Sequence, residues 1–159
     1  MSRIDITPVT DTAWIGDFLK KQWGADFIVC RGKKIEAAAL IGAQARVDGA
    51  VAGLVTWHIT GPDMQITTLN AHDQRSGIGT VLLEHAVAKA RVAGLKRVWL
   101  VTTNDNLDAM RFYQRRGMRL CAVHAGAVSR ARALKPEIPE IGNFGIPIMD
   151  EVELERVLA

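Results

Sequence analysis

Cysteine is nearly absent from this chain. Cys30 and Cys121 are its only two, far apart and without the close spacing of a zinc site or redox pair, so a disulfide framework and a metal site are not expected and two reduced, packed thiols are. Long apolar runs are missing as well. None approaches the roughly 18 to 20 residues needed to cross a bilayer, and the opening MSRIDITPVT has no signal-like apolar core. The expectation is a soluble cytoplasmic protein without a membrane partner. Aromatic residues are few, with four Trp, four Phe and a single Tyr, and they are not interleaved with a basic stripe, which argues against a nucleic-acid partner. Charge of one sign is not gathered anywhere: the formal net charge of +3 and isoelectric point near 9.1 lean toward an anionic ligand without naming one. Repeats and low-complexity tracts are absent.

What is present suffices for one core. The chain has 159 residues, of which 48% are hydrophobic, and a single domain spanning 1–159 is the expectation. Trp14, Ile15, Phe18, Leu19 and Trp23 recur at helical spacing, with Asp11 or Thr12 as N-cap and Gly24 as stop. Asp48-Gly49 and Gly61-Pro62-Asp63 then punctuate three strand-like segments from about Ala43 to Ala71, which predicts an antiparallel meander. Ile78, Leu82, Ala86 and Ala90 follow at helical spacing up to Gly94, and RVWLVTT (97–103) reads as a buried strand. Strand, glycine turn, helix, strand is a parallel crossover. A further helix starts at Asp105 or Asn106 and stops at Gly117, MRLCAVH supplies a strand, and 125–150 is a long connection with one short helix in AVSRARALK. In the tail, Val152 and Leu154 alternate with Glu151, Glu153 and Glu155, which reads as a half-exposed final strand.

QRSGIGT, Gln74 to Thr80, stands between a strand-like and a helix-like run. Glycines at a helix N-terminus expose unpaired N–H groups to an anion, with the helix dipole adding to the attraction. The stretch lacks the Lys and hydroxyl pair of a P-loop. It also carries Leu82 where a dinucleotide fingerprint needs its third glycine. A plain tight turn into a helix remains the alternative for these residues taken alone.

Two segments taken together carry a resemblance. QRSGIG matches Q/R-x-x-G-x-G/A, and NLDAMRFYQRRGM, which follows it after a helix and a strand, matches N-x-x-A-x-x-[FY]-Y-x-[KR]-x-G-[FM]. In this pairing and in element order over nearly the whole chain, the sequence resembles the GCN5-related N-acetyltransferase (GNAT) family, and the tail NFGIPIMDEVELERVL is similar to the C-terminal end of certain bacterial members. The resemblance implies a single-domain α/β (α+β) fold. Its sheet is mixed and mostly antiparallel, with about six to seven strands flanked by helices and a splay between the fourth strand, Met64 to Ala71, and the fifth, Arg97 to Thr103. It further implies acetyl-coenzyme A as co-substrate and transfer of the acetyl group to a primary amine, on a small molecule, protein or peptide, by direct attack in a ternary complex.

By the same resemblance, Leu69, Asn70 and Ala71 face the pantetheine arm, and a main-chain N–H of Leu69 or Asn70 polarises the thioester carbonyl. Gln74, Arg75, Ser76, Gly77, Ile78, Gly79 and Thr80 hold the pyrophosphate. Asn106 contacts the pantetheine arm while capping its helix, with Ala109, Phe112 and Arg115 on the cofactor side. Tyr113, the only tyrosine, stands where the family protonates the departing thiolate, and a phenol is protonated at neutral pH without special tuning. An amphipathic core aromatic is the plainer reading of Tyr113.

The attacking amine must lose a proton. Many relatives place a Glu on the fourth strand, whereas MQITTLNA contains no acid; His58, His72 and Asp73 are the nearest titratable residues, and none is assigned the role. The missing acid motivates a second hypothesis, an acyl-coenzyme A sensor with the same fold and little catalysis. A homodimer through the final strand is compatible with the family.

Overall fold

The computed structural model of the chain describes residues 3–71 and 77–158. In chain order its elements are β1 (Ile4–Val9), α1 (Thr12–Trp23), β2 (Phe27–Cys30), β3 (Lys33–Glu36), β4 (Ile41–Val47), β5 (Ala50–Thr60), β6 (Asp63–Ala71), α2 (Ile78–Val92), β7 (Arg97–Thr103), α3 (Leu107–Arg115), β8 (Arg119–His124), α4 (Ala127–Ala131) and β9 (Glu151–Val157). Seven strands make one sheet in the order β1-β4-β5-β6-β7-β9-β8, while β2 and β3 form a separate hairpin. Every neighbouring pair is antiparallel except β6 and β7. The fold is therefore the expected mixed sheet flanked by helices.

Strand alternation assigns the two faces. On one face, Val55 and Trp57 of β5, Met64 and Ile66 of β6, Val98 and Leu100 of β7, and Val152 and Leu154 of β9 pack under Leu82, Leu83, Ala86, Val87 and Ala90 of α2. On the other, Leu54 of β5 meets Ile15 and Leu19 of α1, with Ile28 and Ile35 of the β2–β3 hairpin beside them. Helix α1 forms where its spacing predicts. Its N-cap Asp11 accepts from the main-chain N–H groups of Ala13 and Trp14 at 3.1 and 3.2 Å, and Gly24 closes it by donating to the Lys20 carbonyl.

The last strand differs from its expected half-exposed setting. β9 lies between β7 and β8, and its residues Glu151 and Glu153 are buried. Being internal, it offers no free edge to a partner; β1 and β8 are the edges. Among the described residues no helix is long and apolar enough to cross a membrane, and no group of His, Cys, Asp or Glu is arranged to hold a metal ion.

Two adjacent polar residues fasten the long connection after β8 to the end of β7. The Asn104 side chain donates to the Pro147 carbonyl and accepts from the N–H groups of Met149 and Asp150. Buried Asp105 accepts from the Asn143 main chain at 2.8 Å, the Asn143 side chain at 3.0 Å and the Thr103 hydroxyl at 2.5 Å.

Candidate active site

Strands β6 and β7 pair over only three positions, Asp63–Gln65 against Arg97–Trp99. From there to Ala71 and Thr103 they diverge, so main-chain groups facing the gap have no strand partner among the described residues. A bulge bends β6 at the point of divergence: Thr56 of β5 faces Thr68 and Trp57 faces Ile66, which leaves Thr67 as the extra residue. The Thr56 hydroxyl lies 2.7 Å from those of both Thr67 and Thr68, so the bulge is held internally. The gap opens into a cleft of about 840 Å³.

The α2 and α3 side of the cleft is built around glycines and rings. Gly77 enters α2 with φ +80°, a left-handed conformation that a residue with a Cβ adopts only at a cost. At Gly79 an added Cβ would approach the Phe112 ring to 3.2 Å, so the missing side chain lets α3 lie against the start of α2. Arg116 completes this contact: its guanidinium covers the Phe112 ring, with its carbon 3.9 Å from the centroid, and its Nε donates to the Thr80 hydroxyl at 2.6 Å. Asn106 caps α3 through Oδ1, which accepts from the Ala109 N–H at 3.1 Å, and the residue also lines the cleft. Tyr113 lines the cleft from α3 and packs with Phe112 edge to face. Burial raises its phenol above the ordinary value, which keeps the hydroxyl protonated and able to donate.

The opposite side is built by the β2–β3 hairpin, α4 and β9. Trp23, Phe27 and Val128 line it together with two charged residues, Lys135 and Glu151. Lys135 is buried and donates to the Phe27 carbonyl at 3.4 Å; burial pulls its pKa down, partly opposed by Glu137. Glu151 accepts from the Arg31 main-chain N–H at 3.0 Å. Its neighbour on the same face, Glu153, receives the His124 ring nitrogen at 3.0 Å, Arg31 at 3.6 Å and Arg97 at 3.5 Å. Arg97 also pairs with Glu155 and Asp63 and, with Arg31, flanks the Trp99 ring. The two carboxylates consequently move in opposite directions. Burial pushes Glu153 up, but His124, Arg31 and Arg97 outweigh it and hold it below the usual range. At Glu151 burial wins and the pKa is raised.

Of the residues expected at the site, Leu69, Ala71, Gly79, Asn106, Ala109, Phe112, Tyr113 and Arg115 line the cleft together. Asn70 instead turns its amide toward Gln22 of α1 at 3.4 Å. Ile78 is buried in the core and Thr80 is engaged by Arg116, so from Gly77 to Thr80 the main chain is what faces outward. Gln74, Arg75 and Ser76 lie outside the described residues, as do His72 and Asp73. His58 does not line the cleft, and the buried Cys30 thiol is pushed up to about 12, largely by burial. Sequence reasoning missed Glu151 and Lys135. The only signal for Glu151 was an acid repeating with period two beside aliphatic residues, a pattern that solvent exposure explains equally well.

The model of the acetyltransferase (GNAT) family matches residues 12–118. Over 143 residues the chain is 40% identical to the uncharacterized protein YdhI of Bacillus subtilis, covering 89% of each chain. Among solved structures, it superposes on an IAA acetyltransferase from Bacillus cereus with a TM-score of 0.75 at 22% identity, covering 98% of this chain and 100% of that one. A GNAT family acetyltransferase from Elizabethkingia anophelis with acetyl-CoA bound gives 0.71 at 21% identity, covering 98% of both. At these identities the two structures bear on the fold alone.

Proposed function

The chain belongs to the acetyltransferase (GNAT) family, and on that premise we propose that it transfers the acetyl group of acetyl-coenzyme A to a primary amine, by direct attack while both are bound. The observation that carries this reading is the divergence of β6 from β7 after three paired positions. It leaves a row of main-chain donors and acceptors to receive an extended, amide-bearing arm, in the way that a missing strand would be received. The fit extends to both ends of that arm. The start of α2 at Gly77 offers free N–H groups and a positive dipole end to a diphosphate. Arg111 and Arg115 line the cleft nearby. Binding of acetyl-coenzyme A by the structure from Elizabethkingia anophelis accords with this.

The bound thioester supplies an activated acetyl group. Around it, a main-chain N–H of Leu69 or Asn70, just past the β6 bulge, stabilises the negative charge that develops on the carbonyl oxygen. Tyr113 holds its proton toward the leaving sulfur, and its raised pKa favours hydrogen-bond donation to the developing thiolate over an early, complete transfer. The amine enters from the opposite side, between Phe27, Val128 and Glu151. It belongs to a small molecule or to a peptide or protein. Burial, with a raised thiol pKa at Cys30, disfavours a covalent acetyl-enzyme there.

The test is a thiol-release assay over a broad amine panel, run beside acetyl-coenzyme A binding. Turnover with at least one amine, with the acetylated amine identified by mass, supports the reading. Tight cofactor binding and no turnover with any acceptor would contradict it and favour the sensor.

A further inference from the structure

We propose that Glu151, presented by the last strand of the sheet, is the group that binds the acceptor amine as its ammonium and takes its proton. This rests on the acetyltransferase reading above and adds a residue to it.

Among the described residues, Asp108 and Glu151 are the carboxylates that line the cleft. Asp108 sits on the exposed first turn of α3 and pairs with Arg111 at 3.2 Å. Glu151 is buried on the face opposite Tyr113: Val152 and Leu154 point to the α2 side, so Glu151 and Glu153 point to the hairpin side. In register it stands between Thr103 of β7, at the open end of the divergence, and His124 of β8. An amine entering from the hairpin side therefore meets Glu151 while the leaving sulfur meets Tyr113, and the two proton movements are kept apart by the reacting carbon.

Among the described residues, the titratable or charged groups that act on this carboxylate are Cys30 and Arg31 from the turn of the hairpin, His124 from β8 and Arg130 from α4, and Glu153 follows two positions on along the same face of β9. Arg31 contacts Glu151 through its main-chain N–H, while its guanidinium pairs with Glu153. The cations are thus concentrated on Glu153, which is built to stay ionised and paired. Glu151 is left without a salt bridge among the described residues and with a raised pKa, the combination suited to accepting a proton.

The step balances. An N–H bond of the bound ammonium breaks and its proton passes to a carboxylate oxygen of Glu151. The freed lone pair forms the bond to the thioester carbon and the carbon–sulfur pair leaves with sulfur. Sulfur leaves as a thiolate held by the Tyr113 hydroxyl, the N-protonated amide passes its remaining extra proton to sulfur by way of that hydroxyl, and Glu151 releases its proton to solvent.

The test is the pH profile of kcat/KM for total alkylamine, in wild type and E151Q, with acetyl-coenzyme A affinity measured alongside. With the carboxylate present, the abundant ammonium form is the substrate, and kcat/KM levels off once Glu151 is ionised. Without it the enzyme must wait for the neutral amine, so kcat/KM climbs about tenfold per pH unit below the amine pKa, and activity near neutrality falls about 100-fold. Acetyl-coenzyme A affinity is unchanged. Should E151Q not fold, E151A supplies the readout instead, with the tenfold climb expected and an intact plateau counting against the assignment. E151Q within about threefold of wild type near neutrality, with its plateau intact, overturns the role of Glu151 and leaves the acetyltransferase reading standing. A wild type that binds acetyl-coenzyme A yet acetylates no amine overturns that reading and this one with it.

Discussion

Removing the Asp105 carboxylate should loosen one wall of the cleft, and the structure sets the size of the effect. Asp105 is 3% exposed and accepts three hydrogen bonds, two from Asn143 and one from Thr103. In D105A the Asn143 N–H and the Thr103 hydroxyl lose their buried partner. Leaving such groups unsatisfied costs about 1 to 3 kcal/mol each, offset by no longer having to bury a carboxylate, so a net loss of about 2 to 4 kcal/mol follows. For a chain of this length that is a fall in melting temperature of about 5 to 15 °C. D105N should cost far less, about 1 kcal/mol or under. Its carbonyl oxygen can stand at the Oδ2 position and keep both Asn143 bonds, and its NH₂ can donate to the Thr103 hydroxyl, which is able to accept. Because Asp105 and Asn104 fasten the connection whose residues Lys135 and Ile138 line the cleft, D105A should also raise KM for the amine more than KM for acetyl-coenzyme A. Thermal and urea denaturation of the two variants, with both KM values, is the assay. Equal stability of D105A and D105N would refute the hydrogen-bond accounting, and unchanged amine KM in a destabilised D105A would refute the link from this fastening to the cleft.

Further consequences can be checked in the same way. Y113F should lower kcat about 100-fold with acetyl-coenzyme A affinity preserved, since only a donor to the departing sulfur is lost; unchanged kcat would remove Tyr113 from the chemistry. G77A places a Cβ at φ +80° and should cost about 1 to 2 kcal/mol in urea denaturation while weakening acetyl-coenzyme A binding, and full retention of both would count against the left-handed entry to α2. E151Q should be at least as stable as wild type at neutral pH. A carboxyl whose folded pKa is raised contributes stability that is fully present below its unfolded pKa and lost as pH rises through the folded value, so the advantage of E151Q should appear on raising the pH through that window and vanish in acid. Glu153, whose pKa is lowered, gives the opposite sign: its contribution is present above the ordinary carboxylate pKa and lost as pH falls through its folded value, so E153Q should be the less stable variant at neutral pH.

Local signals read well wherever local chemistry decides the structure. Asp11 and Gly24 bound α1, the Asp48-Gly49 turn lies between β4 and β5, and Asn106 caps α3, because caps and tight turns are settled within a few residues. The β1 strand and the β2–β3 hairpin were not legible. Pro8 interrupts the alternation of the first, and it is tolerated because β1 is an edge strand. The second turns at Arg31 and Gly32, both at positive φ, without a strong turn dipeptide. The α2 and α3 side of the cleft followed from two motifs, since Gly79, Asn106, Ala109, Phe112, Tyr113 and Arg115 sit at fixed spacings within QRSGIG and NLDAMRFYQRRGM. The other side did not, because burial of Glu151 and Lys135 depends on β9 inserting between β7 and β8 and on the 125–150 connection folding back over the cleft, which are long-range contacts that a period-two pattern does not encode.

A crystal structure with coenzyme A bound tests the account most directly. It should show the pantetheine arm between β6 and β7 beyond Gln65 and Trp99, the diphosphate at the start of α2, and the sulfur within hydrogen-bonding reach of the Tyr113 hydroxyl. A diphosphate seated elsewhere, or a Tyr113 hydroxyl remote from sulfur, would contradict it.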